Sequence, residues 1–467
     1  MVLLFLLCFF LAAASASPSP TVIVIGAGIS GIAAAKTLHE AGIHDMLIVE
    51  ATPRIGGRLM KTQFSGLTVE KGANWLFGGG LWPIPCWTLP KNLSSELPSM
   101  TMKISHQTPL NKKVDYTLPS WVPKTPLEMV IDFYHNDYED AEPPKVTSLK
   151  HTYPRNEFVD HGEDPYFVAD PRGFEIVVQY LAKQFLSSLT SDPRLKLNKV
   201  VREISYSKSG VTIKTEDGST YNSKYVIVSV SLGVLQSDLI EFQPTLPVSS
   251  FRICFLNFPN NLLCSLTLNL GKNESAMEKN CNIRLWHDHI YQDLSKVPLQ
   301  VLAFRPGTEF FLYTHVRRGY YPLWQHLENE YPGSNILFVT VTADESRRIE
   351  QLPDEAIEAE IMVILKKFFG DNIPKPESIL VPRWGLDRFY KGSYSNWPDS
   401  YSQKRKDQLA DPIGPVYFTG EHTSNNYIGY ATGAYFAGID TANDLIECFK
   451  KKSCRGYNRK MALRWEC

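Results

Sequence analysis

The sequence predicts an α/β protein: a three-layer domain assembled from discontinuous segments, interleaved with an α+β domain. Three observations carry that prediction. Residues 21–25 (Thr-Val-Ile-Val-Ile) form a β-branched strand that runs into Gly26-Ala27-Gly28-Ile29-Ser30-Gly31 and a helical stretch. A second apolar strand, Met46 to Val49, ends on Glu50. Far downstream, Val416 to Phe418 leads into Gly420-Glu421, and Gly429-Tyr430, Gly433 and Gly438 then open a helix of small residues. At 467 residues the chain is also too long for one simple core.

Each part of the first unit has a mechanical reason. Val22 to Ile25 suit a strand buried on both faces. Gly26 allows a tight turn, Gly28 lets a pyrophosphate approach the backbone, and Gly31 lets the helix pack on the strand. The first N–H groups of that helix and its dipole favour phosphate. Glu50 closes the second strand where a carboxylate can accept both ribose hydroxyls. Strand, glycine turn, helix, strand and acid together predict a Rossmann-like dinucleotide site. The C-terminal helix start offers a second positive end to such a cofactor.

Composition narrows the class. Hydrophobic residues make up 43% and aromatic ones 12%, enough for a large core. A net charge of −1 without a basic block in the body gives a nucleic-acid surface no support. The one basic cluster, Lys450 to Lys452 with Arg455, Arg459, Lys460 and Arg464, reads as a solvated tail. Residues 2–11 are apolar and precede Ala14-Ser15-Ala16, which fits a cleaved signal peptide rather than a span. No later segment predicts a membrane anchor, so the expectation is a secreted protein. Cys448 and Cys454 are spaced either for a local disulfide or for two free thiols. The other cysteines show no zinc spacing, and sequons stand at Asn92 and Asn273.

Further along, Gly66 to Trp75 predicts a strand entering a glycine turn, after which residues 76–125 lose periodicity. Pro126 to Tyr138 reads as an amphipathic helix. Leu195 to Tyr206, Val211 to Thr215 and Tyr225 to Val230 read as a β-meander. Residues 248–308 are again irregular. Strands are expected at Phe310–His315 and Ile336–Thr342, and a helix at Asp354–Phe369.

Taken together, these residues resemble the FAD-dependent amine oxidase family, and within it the secreted polyamine oxidases of plants. The matching stretches are Val22 to Arg58, Gly72-Ala-Asn-Trp75, Phe133 to Leu149, Asp164 to Glu175, Asp192 to Pro247, and Glu309 to about Lys451. The resemblance implies FAD held by Gly26, Ala27, Gly28, Gly31, Glu50, Gly57, Arg58, Val201, Trp384, Glu421 and Tyr430. Val201 would meet the adenine through an edge-strand backbone. Tyr430 and Tyr394 would flank the substrate at the flavin, and Glu175 would contact a cationic polyamine. The implied reaction takes hydride from a carbon beside nitrogen and reduces O2 to H2O2. A monomer is expected. The implied organisation is a signal at 1–16, an FAD domain from 18–77, 172–247 and 378–450, a substrate domain from 78–171 and 248–377, and a basic tail at 451–467.

Two departures qualify that picture. Where the family places a tunnel glutamate two residues after Gly-Ala-Asn-Trp, this chain has Phe77. The family's lysine near the flavin lies in a strand reading aromatic-x-Lys-Ile-x-Leu-x-Phe. No such strand is expected between Pro247 and Glu309, and Lys272, Lys279 and Lys296 lie in irregular sequence. The alternative expectation is therefore an FAD-binding homologue with impaired catalysis.

Overall fold

The computed structural model describes residues 19–76, 102–104, 122–148, 166–246, 264–269, 310–398 and 403–451. Five parallel strands form the central sheet, in the order Val416–Phe418, Tyr225–Val228, Val22–Ile25, Met46–Val49 and Leu195–Lys196. Their two-residue period divides the side chains between two layers. Val22, Val24, Met46 and Ile48 pack against the helices Ile29–Glu40, Ile176–Lys183 and Ala431–Lys451. Ile23, Ile25, Leu47 and Val49 pack instead against a four-stranded sheet built from Thr220–Ser223, Gly210–Thr215, Val201–Ser207 and Glu241–Gln243. Burying each such side chain contributes about 1.5–3 kcal/mol. A Cβ on Gly438 would lie 2.2 Å from the Ser30 carbonyl oxygen, so glycine is what lets the last helix press onto the first.

A second five-stranded sheet is antiparallel, in the order Phe310–Leu312, Leu323–His326, Ile336–Val341, Cys264–Asn269 and Ser378–Leu380. The helix Asp354–Phe369 buries Ile357, Ile361, Ile364 and Leu365 against Trp324, Leu337, Val339 and Val341.

Several expectations are corrected. Leu195 to Tyr206 is not one strand: Asn198 has a φ of 56°, and the chain turns there from the parallel sheet into the four-stranded one. Tyr225–Val228 belongs to the parallel sheet, and the third strand of the meander is Thr220–Ser223. Residues 248–308 are not wholly irregular, because Cys264–Asn269 is a central strand of the second sheet. Met102–Ile104, within the aperiodic 76–125 stretch, pairs with Tyr166–Val168. Ser378–Leu380 joins the second sheet although the first domain was expected to resume at 378. Cys448 is disulfide-bonded, and Cys454 lies outside the described residues. Residues 1–16, Phe77, Asn92, Asn273, Lys272, Lys279 and Lys296 also lie outside them. Among the described residues no helix is long and apolar enough to cross a membrane, and no His, Cys, Asp and Glu group could hold a metal.

Candidate active site

A cavity of about 590 Å³ opens at the C-terminal ends of the parallel strands. Its floor is glycine. Gly26 has a φ of 99°, and a Cβ there would stand 2.5 Å from the Ser229 carbonyl oxygen. A Cβ on Gly57, at a φ of 60°, would stand 3.1 Å from the Gly28 Cα. The two glycine turns are locked edge to edge, since the Gly56 N–H donates to the Ala27 carbonyl at 2.9 Å. Bare backbone is thereby exposed to the cavity at Gly26, Gly28, Gly56 and Gly57.

Glu50 is buried and braces that floor. Its Oε2 accepts the Ala27 N–H at 2.7 Å, and its Oε1 accepts the Thr52 N–H and hydroxyl at 2.8 and 2.7 Å. The carboxylate lies on the cavity wall. Ala27 and Gly31 are not on the wall. They shape the turn: a Cβ on Gly31 would stand 2.0 Å from the Gly26 carbonyl oxygen.

The opposite wall is tied down by Glu421, which is 4% exposed. It accepts from the Ser395 N–H and hydroxyl at 3.2 and 2.9 Å, from the Gly429 N–H at 2.9 Å, and from Arg58 Nη1 at 3.2 Å. Arg58 also donates to the Ser393 carbonyl at 2.7 Å, so one guanidinium joins the first segment to the third. Trp384 donates its indole N–H to the Lys71 carbonyl at 3.2 Å. Tyr394 donates its hydroxyl to the Glu139 carbonyl at 3.2 Å. Burial pushes the Tyr394 phenol well above its ordinary pKa, so it stays protonated. Tyr430 and Val201 also line the cavity.

Val201 differs from expectation in one respect. Its strand is interior to the four-stranded sheet, with neighbours on both sides, although the pairing with Glu241–Gln243 begins only at Glu203.

Glu175, expected to meet the substrate, does not line the cavity. Arg54 Nη1 stands 3.4 Å from its Oε2 and Lys61 Nζ 3.8 Å from its Oε1, while Gln179 donates to Oε1 at 3.0 Å. Two cations neutralise it. Its service to the site is indirect, because Arg54 in turn donates to the Gly57 carbonyl at 2.5 Å and holds the second glycine turn.

The acids on the wall that sequence reasoning missed are Glu139 and Asp140, beside Tyr138. They close the short helix Asp137–Asp140, packed against the helix Pro126–His135, which ends before the expected Tyr138. The readable signal was the aromatic and acidic run Tyr138-Glu139-Asp140 placed just past a capped amphipathic helix.

Bare glycine turns at strand ends, a carboxylate beside them and an aromatic wall define a dinucleotide-binding α/β protein. The chain belongs to the family of flavin containing amine oxidoreductases, whose model matches residues 29–106 and 122–446. It is 46% identical to polyamine oxidase 1 of Zea mays, with 94% of this chain and 93% of that protein covered. It is 45% identical to polyamine oxidase 7 of Oryza sativa subsp. japonica, with 90% and 93% covered. Putrescine oxidase bound to putrescine shares the fold with a TM-score of 0.64 at 16% identity, over 92% of this chain and 99% of that one. Cyclohexylamine oxidase from Brevibacterium oxydans does so with a TM-score of 0.64 at 18% identity, over 93% and 100%.

The protein is thus an FAD-dependent amine oxidoreductase. The glycine floor, which any side chain would fill, fits that dinucleotide. The family match is interrupted at 107–121, inside the 78–124 stretch where the sequence leaves the family pattern.

Proposed function

We propose that the protein oxidises polyamines of the spermine and spermidine class, with O2 reduced to H2O2. The observation that carries this reading is the presence of acids and aromatic rings together in the lining of the cofactor cavity. Glu139 and Asp140 attract ammonium groups of a long cation, and Tyr138, Tyr394 and Tyr430 flank its methylene chain. The bound flavin supplies hydride acceptance and its return to oxygen. The protein's own part is to bind and orient: Tyr394 is fixed by the Glu139 carbonyl, so one contact positions both a ring and an acid. Gly26, Gly28, Glu50, Gly57, Arg58, Val201, Trp384, Glu421 and Tyr430 are proposed as the FAD contacts.

The test is anaerobic addition of spermine to the purified flavoprotein. Bleaching of the flavin, reversed by air with release of peroxide, is expected. Bleaching by a simple monoamine but not by spermine or spermidine would sink the polyamine reading. Phe77, in place of a family glutamate, favours a second reading in which FAD binds but oxidation is impaired. A flavin that spermine reduces only over hours selects it.

Secretion and a monomeric state complete the proposal. Residues 1–16 carry the signal pattern, so N-terminal sequencing of exported protein is expected to begin near Ser17. A mature chain that retains Leu4 to Phe10 refutes this.

A further inference from the structure

Lys406 is 1% exposed, an unusual place for an ammonium group. It lies on the helix Gln403–Ala410, which packs against the Glu421–Thr423 turn of the cavity wall. Burial draws its pKa down to about 8, with Asp407 acting in the opposite direction. The group therefore remains largely charged at neutral pH and must donate to something. Its partner is the side-chain carbonyl Oδ1 of Asn425. Asn425 is exposed and lies on the cavity wall, between Glu421 and Tyr430.

A carboxamide has one acceptor end and one donor end. With Oδ1 committed to a cation that has nothing to accept with, the amide cannot flip without stranding a buried ammonium. Its Nδ2 is the end left over, and no described residue accepts from it. The neighbouring wall at Gly429 is backbone, with its N–H turned to Glu421. Asn425 is thus a side-chain donor on this stretch of wall, fixed from behind.

We propose that Lys406 is a positioning residue that locks Asn425, so that the Asn425 Nδ2 donates to an acceptor oxygen of bound FAD. The role concerns the cofactor and is independent of which amine is oxidised.

The order of two substitutions tests it. Asn425→Asp keeps the acceptor for Lys406 but replaces the donor by an anion facing the FAD oxygen. Asn425→Ala removes both. A donor role predicts that flavin dissociation quickens in both, more in Asn425→Asp than in Asn425→Ala, by about tenfold or more for the former. It also predicts a shifted visible flavin spectrum in both. A purely structural pair predicts the reverse, with Asn425→Asp indistinguishable from the parent in dissociation rate and spectrum. That result overturns the proposal.

Lys406→Met frees the amide and is expected to quicken dissociation, whereas Lys406→Arg, which can still donate, should restore most of the parent rate. Equal dissociation from parent and Lys406→Met protein, with unchanged melting, removes the positioning role.

Discussion

Replacing Glu70 by glutamine should stabilise the protein at about pH 8 and leave it nearly unchanged well below pH 4.5. Glu70 is 7% exposed. Its Oε1 accepts the Phe174 N–H at 2.7 Å, but Oε2 is buried without a hydrogen-bond partner among the described residues. Burial pushes its pKa up to about 7 from 4.5; Glu175 adds to the rise, while the Phe174 N–H, Lys61 and Arg54 oppose it.

The folded value lies above the unfolded one, so the native state keeps a proton that the unfolded chain has released. Stability from this group is therefore full below about pH 4.5 and is lost as pH rises through about 7. At about 1.36 kcal/mol per pKa unit, the loss approaches about 3 kcal/mol at high pH. Glutamine keeps a carbonyl for the Phe174 N–H and never ionises, so it removes the loss.

The assay is a pair of thermal melts across that range, read as the difference in Tm between parent and Glu70→Gln protein. Titrating groups that do not interact with Glu70 are common to both and cancel. A Tm difference that does not change with pH, or a variant less stable than the parent at about pH 8, would refute the reasoning.

Three further outcomes follow from the cavity. Glu50→Ala leaves the Ala27 and Thr52 donors unpaired and removes the proposed ribose acceptor. Its cost of about 1–3 kcal/mol appears as an FAD Kd raised about 5- to 150-fold, measured by flavin fluorescence. Gly57→Val places a branched side chain at a φ of 60° and against Gly28, so the purified variant should lack visible flavin absorbance. Glu139→Gln combined with Asp140→Asn should raise the KM for spermine about tenfold or more while sparing a neutral or monoamine substrate. An equal rise for both substrates would place these acids outside recognition.

The legibility of this chain follows from where its chemistry is local. The first unit was readable because Gly26, Gly28 and Gly31 act within a few residues of their strand, and at Gly26 and Gly31 a backbone oxygen stands where a Cβ would clash. Glu50 was readable for the same reason. The long helix Asp354–Phe369 announced itself by period and length, and its bounds agree with the expectation. The failures come from pairing over distance. Nothing between Leu195 and Tyr206 says that Leu195–Lys196 continues the edge of one sheet while Val201–Ser207 begins another, because both pieces are equally strand-like. Cys264–Asn269 alternates Ser, Leu, Thr and Leu, but it stands alone within a stretch of no consistent period. It becomes a strand because Ile336–Val341 and Ser378–Leu380 satisfy its backbone from both sides.

Glu175 illustrates the hardest case. Its place in a matching stretch suggested substrate contact, yet Arg54 and Lys61, both more than a hundred positions away, claim its charge. Asp170 and Arg172 just before it likewise pair with each other. A carboxylate can meet a diffusing cation only if no resident cation reaches it first, and that is settled by the tertiary fold. Glu139 and Asp140, by contrast, line the cavity itself. We therefore propose the short helix Asp137–Asp140, which lines the cavity, rather than Glu175, for contact with the charges of the amine.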